Sequence, residues 1–184
     1  MPSNAVEHEV VVEMPRPETA RSPDDVHHRR FRSCLGRFTT GVTVVAFDGP
    51  TGRHGFTANS FTSVSMDPPL VLVSVARAAK AHDELPGRPF TINVLGAEQQ
   101  ALAMHFAGRP QLEPAWLDAG SAPRLAGALA HFECRPRQTC EAGDHTLHIG
   151  EVVDFDYRRG DLLGFACGRF VTIAEPSLGL EHLL

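Results

Sequence analysis

Lysine is almost missing from this chain of 184 residues. Lys80 is the only one, and arginine supplies the rest of the 17 basic residues. Against 22 acids this leaves a formal net charge of −5, the wrong sign for a general binder of nucleic-acid backbones, so no nucleic-acid partner is expected. The four cysteines, Cys34, Cys134, Cys140 and Cys167, form no C-x-x-C pair. A chain this long needs no disulfide staple, so reduced thiols and a cytoplasmic setting are expected. Long apolar runs are missing too: the strongest, PPLVLVSVA, is about half of what a membrane-spanning helix needs. The N-terminal MPSNAVEHEV lacks the basic and apolar regions of a signal peptide, and no membrane partner is expected. Ten histidines are scattered with no H-E-x-x-H and no tight Cys/His cluster, so no metal is expected. There is no G-x-G-x-x-G, the Gly-rich turn that a dinucleotide-binding Rossmann unit requires.

What is present is enough apolar material for one core, 42% hydrophobic against 21% charged residues. Residues 1–26 stand apart: four prolines, no aromatics, and six acids against two arginines read as a solvated, mobile tail. The VVV at 10–12 is either part of that tail or a short edge strand. A domain is expected over 27–174, with 175–184 as a C-terminal tail. Phe31, Cys34, Leu35 and Phe38 follow i, i+3, i+4, i+7, one face of an amphipathic helix. Strands are expected at 42–47, 54–65, 69–75 and 90–95, a helix at 97–107, and a long loop with room for a short helix at 108–130. Further strands are expected at 131–140, 145–157, 161–166 and 168–173. Many short strands with little helix between them imply a mainly β, antiparallel barrel or sandwich.

The chemically informative stretch is GFTANSFTSVSMDPPLVLVSV, residues 55–75. Thr57, Asn59, Ser60, Thr62, Ser63 and Ser65 place six hydroxyl or amide side chains in nine positions, where an ordinary two-faced strand would be half apolar. Either this is a water-facing edge strand with Thr favoured by β propensity, or its groups bind a ligand rich in hydroxyls and phosphate.

The order of motifs bears on that choice. F-T-T-G-V-T-V-V (38–45), T-A-N-S-F-T-S-V-S-M-D-P-P-L-V (57–71), F-T-I-N-V-L (90–95), F-A-G (106–108), G-D-H-T (143–146) and G-R-F (168–170) occur in sequence. Together they resemble the flavin reductase family, the small reductase components of two-component flavin-dependent monooxygenases, over roughly residues 30–173. The resemblance implies a split β-barrel of Greek-key, antiparallel type with a few short helices, forming a homodimer. It implies FMN or FAD as the flavin, NADH or NADPH as hydride donor, and a flavin-dependent monooxygenase that receives the reduced flavin.

Residue by residue, the resemblance implies that Thr57, Ala58, Asn59 and Ser60 line the ribityl and ring side of the flavin, largely through backbone groups. Ser74, Val75, Ala76 and Arg77 approach its phosphate, with Lys80 in the same loop. Asn93, Val94 and Leu95 form a second flavin-facing strand, Phe106 lies on a closing helix, and Thr40 and Gly41 lie near the ring. His145 stands where nicotinamide docks; a turn histidine bonded within its own hairpin is the other reading. Asp144 can fix its orientation. Phe170 is either near the nicotinamide or packed in the core. One departure concerns phosphate: residues 77–82 read Arg-Ala-Ala-Lys-Ala-His where the family often carries Ser or Thr. Arg77, Lys80 and backbone N–H groups would carry more of that task.

Hydride transfer between nicotinamide and flavin is the cofactors' chemistry, so the protein needs to position rings rather than activate a nucleophile. His145 is accordingly expected to position rather than to act as an acid or base. A non-enzymatic flavin carrier or sensor is the rival; G-D-H-T and G-R-F argue against it, because a carrier needs no nicotinamide site.

Overall fold

The computed structural model describes residues 22–175 except 111 and 119. The expected edge strand at 10–12 lies outside the described residues. Helix α1 (Pro23–Leu35) starts inside the expected tail. Its start is built by a reciprocal cap: the Ser22 hydroxyl accepts from the Asp25 N–H, and the Asp25 carboxylate accepts from the Ser22 N–H. A proline in the first turn and two acids near the helix N-terminus add to it. Of the apolar face expected of this helix, Phe31, Cys34 and Leu35 lie on it while Phe38 falls past its end, and all four are exposed rather than buried.

The strands that follow are β1 (Thr40–Gly41), β2 (Thr43–Gly49), β3 (Gly52–Ala58), β4 (Thr62–Met66), β5 (Pro69–Ala76) and β6 (Phe90–Val94), with a short helix α2 (Lys80–Glu84) after β5. A 3₁₀ turn leads into α3 (Gln100–Phe106). Next come two-residue strands β7 (Trp116–Leu117) and β8 (Arg124–Leu125), then β9 (Ala130–Ala142), β10 (His145–Tyr157), β11 (Leu162–Ala166) and β12 (Arg169–Ile173). The long loop holds this small β7–β8 ribbon rather than a helix. The single strand expected over 54–65 is two strands, β3 and β4, broken at 59–61.

Seven strands form one antiparallel sheet in the order β3-β2-β6-β9-β10-β5-β4. Its two edge strands are consecutive in the chain. Three residues reach at most about 14 Å from Ala58 to Thr62, whereas six strand spacings in a flat sheet would separate the edges by about 29 Å. The sheet must therefore curl until its edges approach. A second sheet, β1-β11-β12, joins it through Val42, Leu95 and Leu163, whose backbones hydrogen-bond one another.

The continuous apolar run in β2 is buried on both faces. Val45 and Phe47 enter one core with Val71, Val73, Val75, Phe90 and Ile92; Val42, just before the strand, and Val44 enter a second with Leu95, Leu102 and Leu163. Cys134 belongs to the first core. Burial, with the nearby Glu133 charge second, pushes its thiol up to about 12, so it is an inert packing residue. Gly150 marks a bulge in the β9–β10 hairpin. A Cβ there would lie 2.6 Å from the Phe90 ring, so only glycine lets the hairpin pass over this core. Among the described residues no helix is long and apolar enough to cross a membrane.

Candidate functional site

β4 pairs with β5 only as far as Leu72. Beyond that point β5 continues through Ser74 and Ala76 with its β4 side uncovered. Ser60 fills the first gap: its hydroxyl accepts from the Ser74 N–H at 2.9 Å and donates to the Ser74 carbonyl at 3.2 Å. One side chain thus does the work of a missing strand residue. By the two-residue alternation of the ladder, Ala76 turns its N–H toward the same open edge. On the other side of this gap runs the connector 59–61, with Asn59 exposed and Thr57 half-buried. The Thr57 hydroxyl donates to the Ala103 carbonyl at 2.6 Å, which pins α3 against β3.

The hairpin tip at 143–144 closes the seam. Gly143 has φ +62° and begins a two-residue turn between paired Ala142 and His145. A turn with glycine first at positive φ suits the twist of the flanking strands. The turn sets His145 opposite Ala76, and Leu147 opposite Ser74, so these four residues share one face. The loop leaving β5 is tied to the tip, since the Arg77 N–H donates to the Asp144 carbonyl at 2.9 Å.

Asp144 orients the imidazole: its Oδ1 lies 2.7 Å from His145 Nδ1. That hydrogen bond, and next the charge attraction of the ring, hold the Asp144 carboxyl below the usual carboxylate range. The reading of His145 as a histidine bonded within its own hairpin is what the geometry shows. Its Nδ1 is bonded within its own hairpin, while the ring stands half-exposed at the rim of the seam.

The basic loop follows. Arg77 pairs with Glu141 at 2.9 Å on the surface, and the exposed Lys80 pairs with the mostly buried Glu84 at 3.5 Å. The exposed Arg77–Glu141 pair is weak and exchanges readily for a better anion. His82, which the sequence did not single out, places its Nε2 3.0 Å from the Thr146 hydroxyl and locks α2 to β10. The threonine of G-D-H-T was the only signal for it.

The expected residues do not all gather here. Residues 57–60, 74–77, Lys80 and 144–145 form the seam. Asn93 does not belong to it. It is 0% exposed, its amide donates to the Val44 and Thr91 carbonyls, and its oxygen accepts from the Leu125 N–H. Leu95 is likewise sealed, its N–H donating to Val42 and its carbonyl accepting from Leu163. The physical reason is that β6 is a central strand between β2 and β9, and Val94 pairs with both neighbours. Val75 and Ala58 are buried as well and offer backbone only. Phe106 packs edge-on against Trp116 and over Gly55. Thr40, Gly41 and Phe170 lie in the second sheet, where Phe170 meets Phe165 edge-on at 5.5 Å and packs against the second core. Thr40 Oγ1 is buried there without a hydrogen-bond partner.

The seam suits a flavin mononucleotide unit: hydroxyls and main-chain groups along an open strand edge, then two cations at one end. Fold and site together define an antiparallel β domain that would hold a nucleotide along a strand edge, not at a Gly-rich turn. Residues 35–174 match the model of the flavin reductase like domain. The chain belongs to that family. It is 44% identical over 152 residues to an FMN reductase (NADH) of Agrobacterium fabrum, covering 80% of this chain and 87% of the relative. It is 43% identical over 161 residues to an NADH-dependent FAD reductase of Streptomyces globisporus, again covering 80% and 87%. Among solved structures, the Streptomyces globisporus C-1027 NADH:FAD oxidoreductase superposes with a TM-score of 0.76 at 38% identity, over 89% of this chain and 96% of that one.

Proposed function

We propose that this protein is an NADH-dependent flavin reductase that reduces FMN or FAD and supplies the reduced flavin to a partner monooxygenase. The observation that carries the reading is the uncovered edge of β5 from Ser74 to Ala76, lined by the 57–60 connector and capped by the oriented His145. Relatives of the chain include reductase components of a trigonelline monooxygenase of Acinetobacter baylyi and a 4-hydroxyphenylacetate 3-monooxygenase of Thermus thermophilus. That company favours a reductase over a carrier.

Hydride transfer is chemistry that the bound nicotinamide and flavin supply. The protein's part is positional. Ser60, Ala76 and the connector backbone hold the ribityl and ring side. Arg77 leaves its surface carboxylate, and Lys80 turns from Glu84, to take the phosphate. His145, fixed through Nδ1 by Asp144, walls the place where nicotinamide stacks. Phe170 and Thr40 bound the ring from the second sheet.

The curled seven-stranded sheet, with edges joined by three residues, is read as the split barrel of the family over 27–174. A homodimer follows from the apolar surface left outside it: Phe38 is 77% exposed, Phe155 67%, Tyr157 79% and Met66 90%. So much apolar surface just after α1, on β4 and at the end of β10 is what an interface with a second copy would cover. Light scattering should show a dimer at micromolar concentration.

The function is tested by mixing the purified protein anaerobically with NADH and FMN or FAD and following the nicotinamide band. Flavin-dependent NADH consumption is expected. Flavin binding without NADH consumption would leave a carrier.

A further inference from the structure

Helix α2 carries Lys80 at its start and follows closely on Arg77, so its position sets where both cations stand. Ala81, within it, and Leu85, at its end, enter the first core with Val73, Val75 and Phe90. Its polar side is tied to β10 by the bond of 3.0 Å between His82 Nε2 and the Thr146 hydroxyl. Two positions further along β10, on the same inward face, stands His148. We propose that α2 is an acid-sensitive latch: docked over His148 at neutral pH, it is released on acidification, draws Lys80 and the Arg77 loop from the flavin phosphate, and so lets flavin go. This rests on the reading of Arg77 and Lys80 as the phosphate-binding pair.

Three observations carry the latch. His148 is 4% exposed, and its Nε2 is buried with no hydrogen-bond partner. An imidazolium bears a proton on both nitrogens, and the one on Nε2 would meet neither an acceptor nor water. Next, the charges around this ring are of one sign. His148 lines a cavity of about 290 Å³ with Leu85, Arg88 and Arg137, and no carboxylate among the described residues lines it. Its strand partners, Val73 of β5 and Thr139 of β9, are uncharged. Burial first, and the charge of His82 second, hold the His148 ring below the usual histidine range. Finally, α2 also packs against β3, where His54 leans on Phe47 at 5.2 Å. Burial lowers the basicity of His54, Glu84 opposes this and Lys80 adds to it, with a net fall. Asp83, the remaining charge on α2, is exposed and bonds His82 Nδ1 at 3.0 Å.

The docked helix thus favours neutral rings, which regain the ordinary histidine value of about 6.5 once it leaves. Docking is fully favoured above that pH and loses ground as pH falls below it. One such histidine shifts the equilibrium by up to about tenfold one pH unit lower.

Hydrogen exchange of the full chain without flavin, corrected for intrinsic rates, is compared at about pH 7.5 and about pH 5.5, either side of that value. The His82 and Leu85 amides donate to the Ala79 and Ala81 carbonyls. In acid they should lose about tenfold more protection than the core amides of Val45 and Ile92. FAD is the flavin probe, because its phosphates carry no proton that ionises in this range. Its dissociation constant, read by fluorescence, should rise about two- to tenfold in acid. His148→Gln, which cannot take up the proton, should remove most of both pH dependences. Thr146→Val cuts the tie to His82 in a side chain of the same shape, and reports even if His148→Gln fails to fold. It should expose the α2 amides and weaken FAD already at the higher pH. The latch is overturned if α2 and core amides lose protection equally, if His148→Gln keeps the parent's pH profile, or if Thr146→Val leaves α2 protected. If α2 opens in acid and FAD affinity holds, release of the helix is upheld, and the phosphate reading, on which the loss of flavin rests, is what fails.

Discussion

The ends of β5 and β6 look alike in sequence and differ in what their backbones still have to offer. Both are apolar strands that finish in a residue with a polar side chain or an open loop, Ser74-Val75-Ala76-Arg77 and Asn93-Val94-Leu95. At the end of β6 every group is engaged. Asn93 satisfies three backbone partners, and Leu95 is bonded to Val42 and Leu163. At the end of β5 the neighbouring strand has already left, and a single hydroxyl, that of Ser60, covers one residue of the gap. A polar residue near a strand end therefore does not make a binding surface. Main-chain groups without a neighbouring strand are better suited to one, because a ligand can replace water there without breaking protein hydrogen bonds.

The comparison is broken most severely by Asn93→Leu. The change leaves the Leu125 N–H and the Val44 carbonyl without this partner in a wholly buried place, and a loss of about 2–5 kcal/mol in unfolding free energy is expected. Urea denaturation measures it, and fluorescence titration of the folded fraction should show flavin affinity unchanged. If flavin affinity falls while stability holds, β6 belongs to the flavin site and the contrast fails. The opposite pattern is expected of Arg77→Ala. Its ion pair with Glu141 is exposed and worth little to the fold. Flavin binding should weaken by about 1.5–3 kcal/mol if the phosphate contact is desolvated, and Lys80→Ala should act in the same direction. Parent-like affinity for FMN and FAD in both variants would place the phosphate elsewhere.

Much of this was legible in the sequence. The β-branched run of β2, the buried run of β5 and the turn around 143–144 announce themselves by composition and turn chemistry. Of the polar run 57–65, residues 57–60 border the seam, whereas Thr62 and Ser63 stand exposed on the edge strand β4, as the water-facing reading has it. What the run could not show is that the chain leaves one sheet edge at Ala58 and joins the other at Thr62, because both halves have the same composition. The fate of Asn93 was hidden for another reason: its decisive partner, the Leu125 N–H, is 32 residues away. The apolar spacing at 31–38 marked a face that holds only as far as Leu35, where α1 ends, and that this chain leaves exposed, because periodicity does not say what covers an apolar face.

The central claim is that the seam holds flavin while the hairpin tip places nicotinamide, and His145→Ala tests it most directly. Flavin affinity is read by fluorescence and NADH-dependent reduction by stopped flow on the same preparation. The ring is oriented by Asp144 and lies at the rim rather than on the open edge of β5, so its removal should leave flavin binding nearly intact. The reduction rate should fall about tenfold, the equivalent of one lost positioning contact of about 1.4 kcal/mol. Equal loss of binding and reduction would make His145 a structural part of the hairpin, and no loss of either would contradict the placement of nicotinamide at this tip.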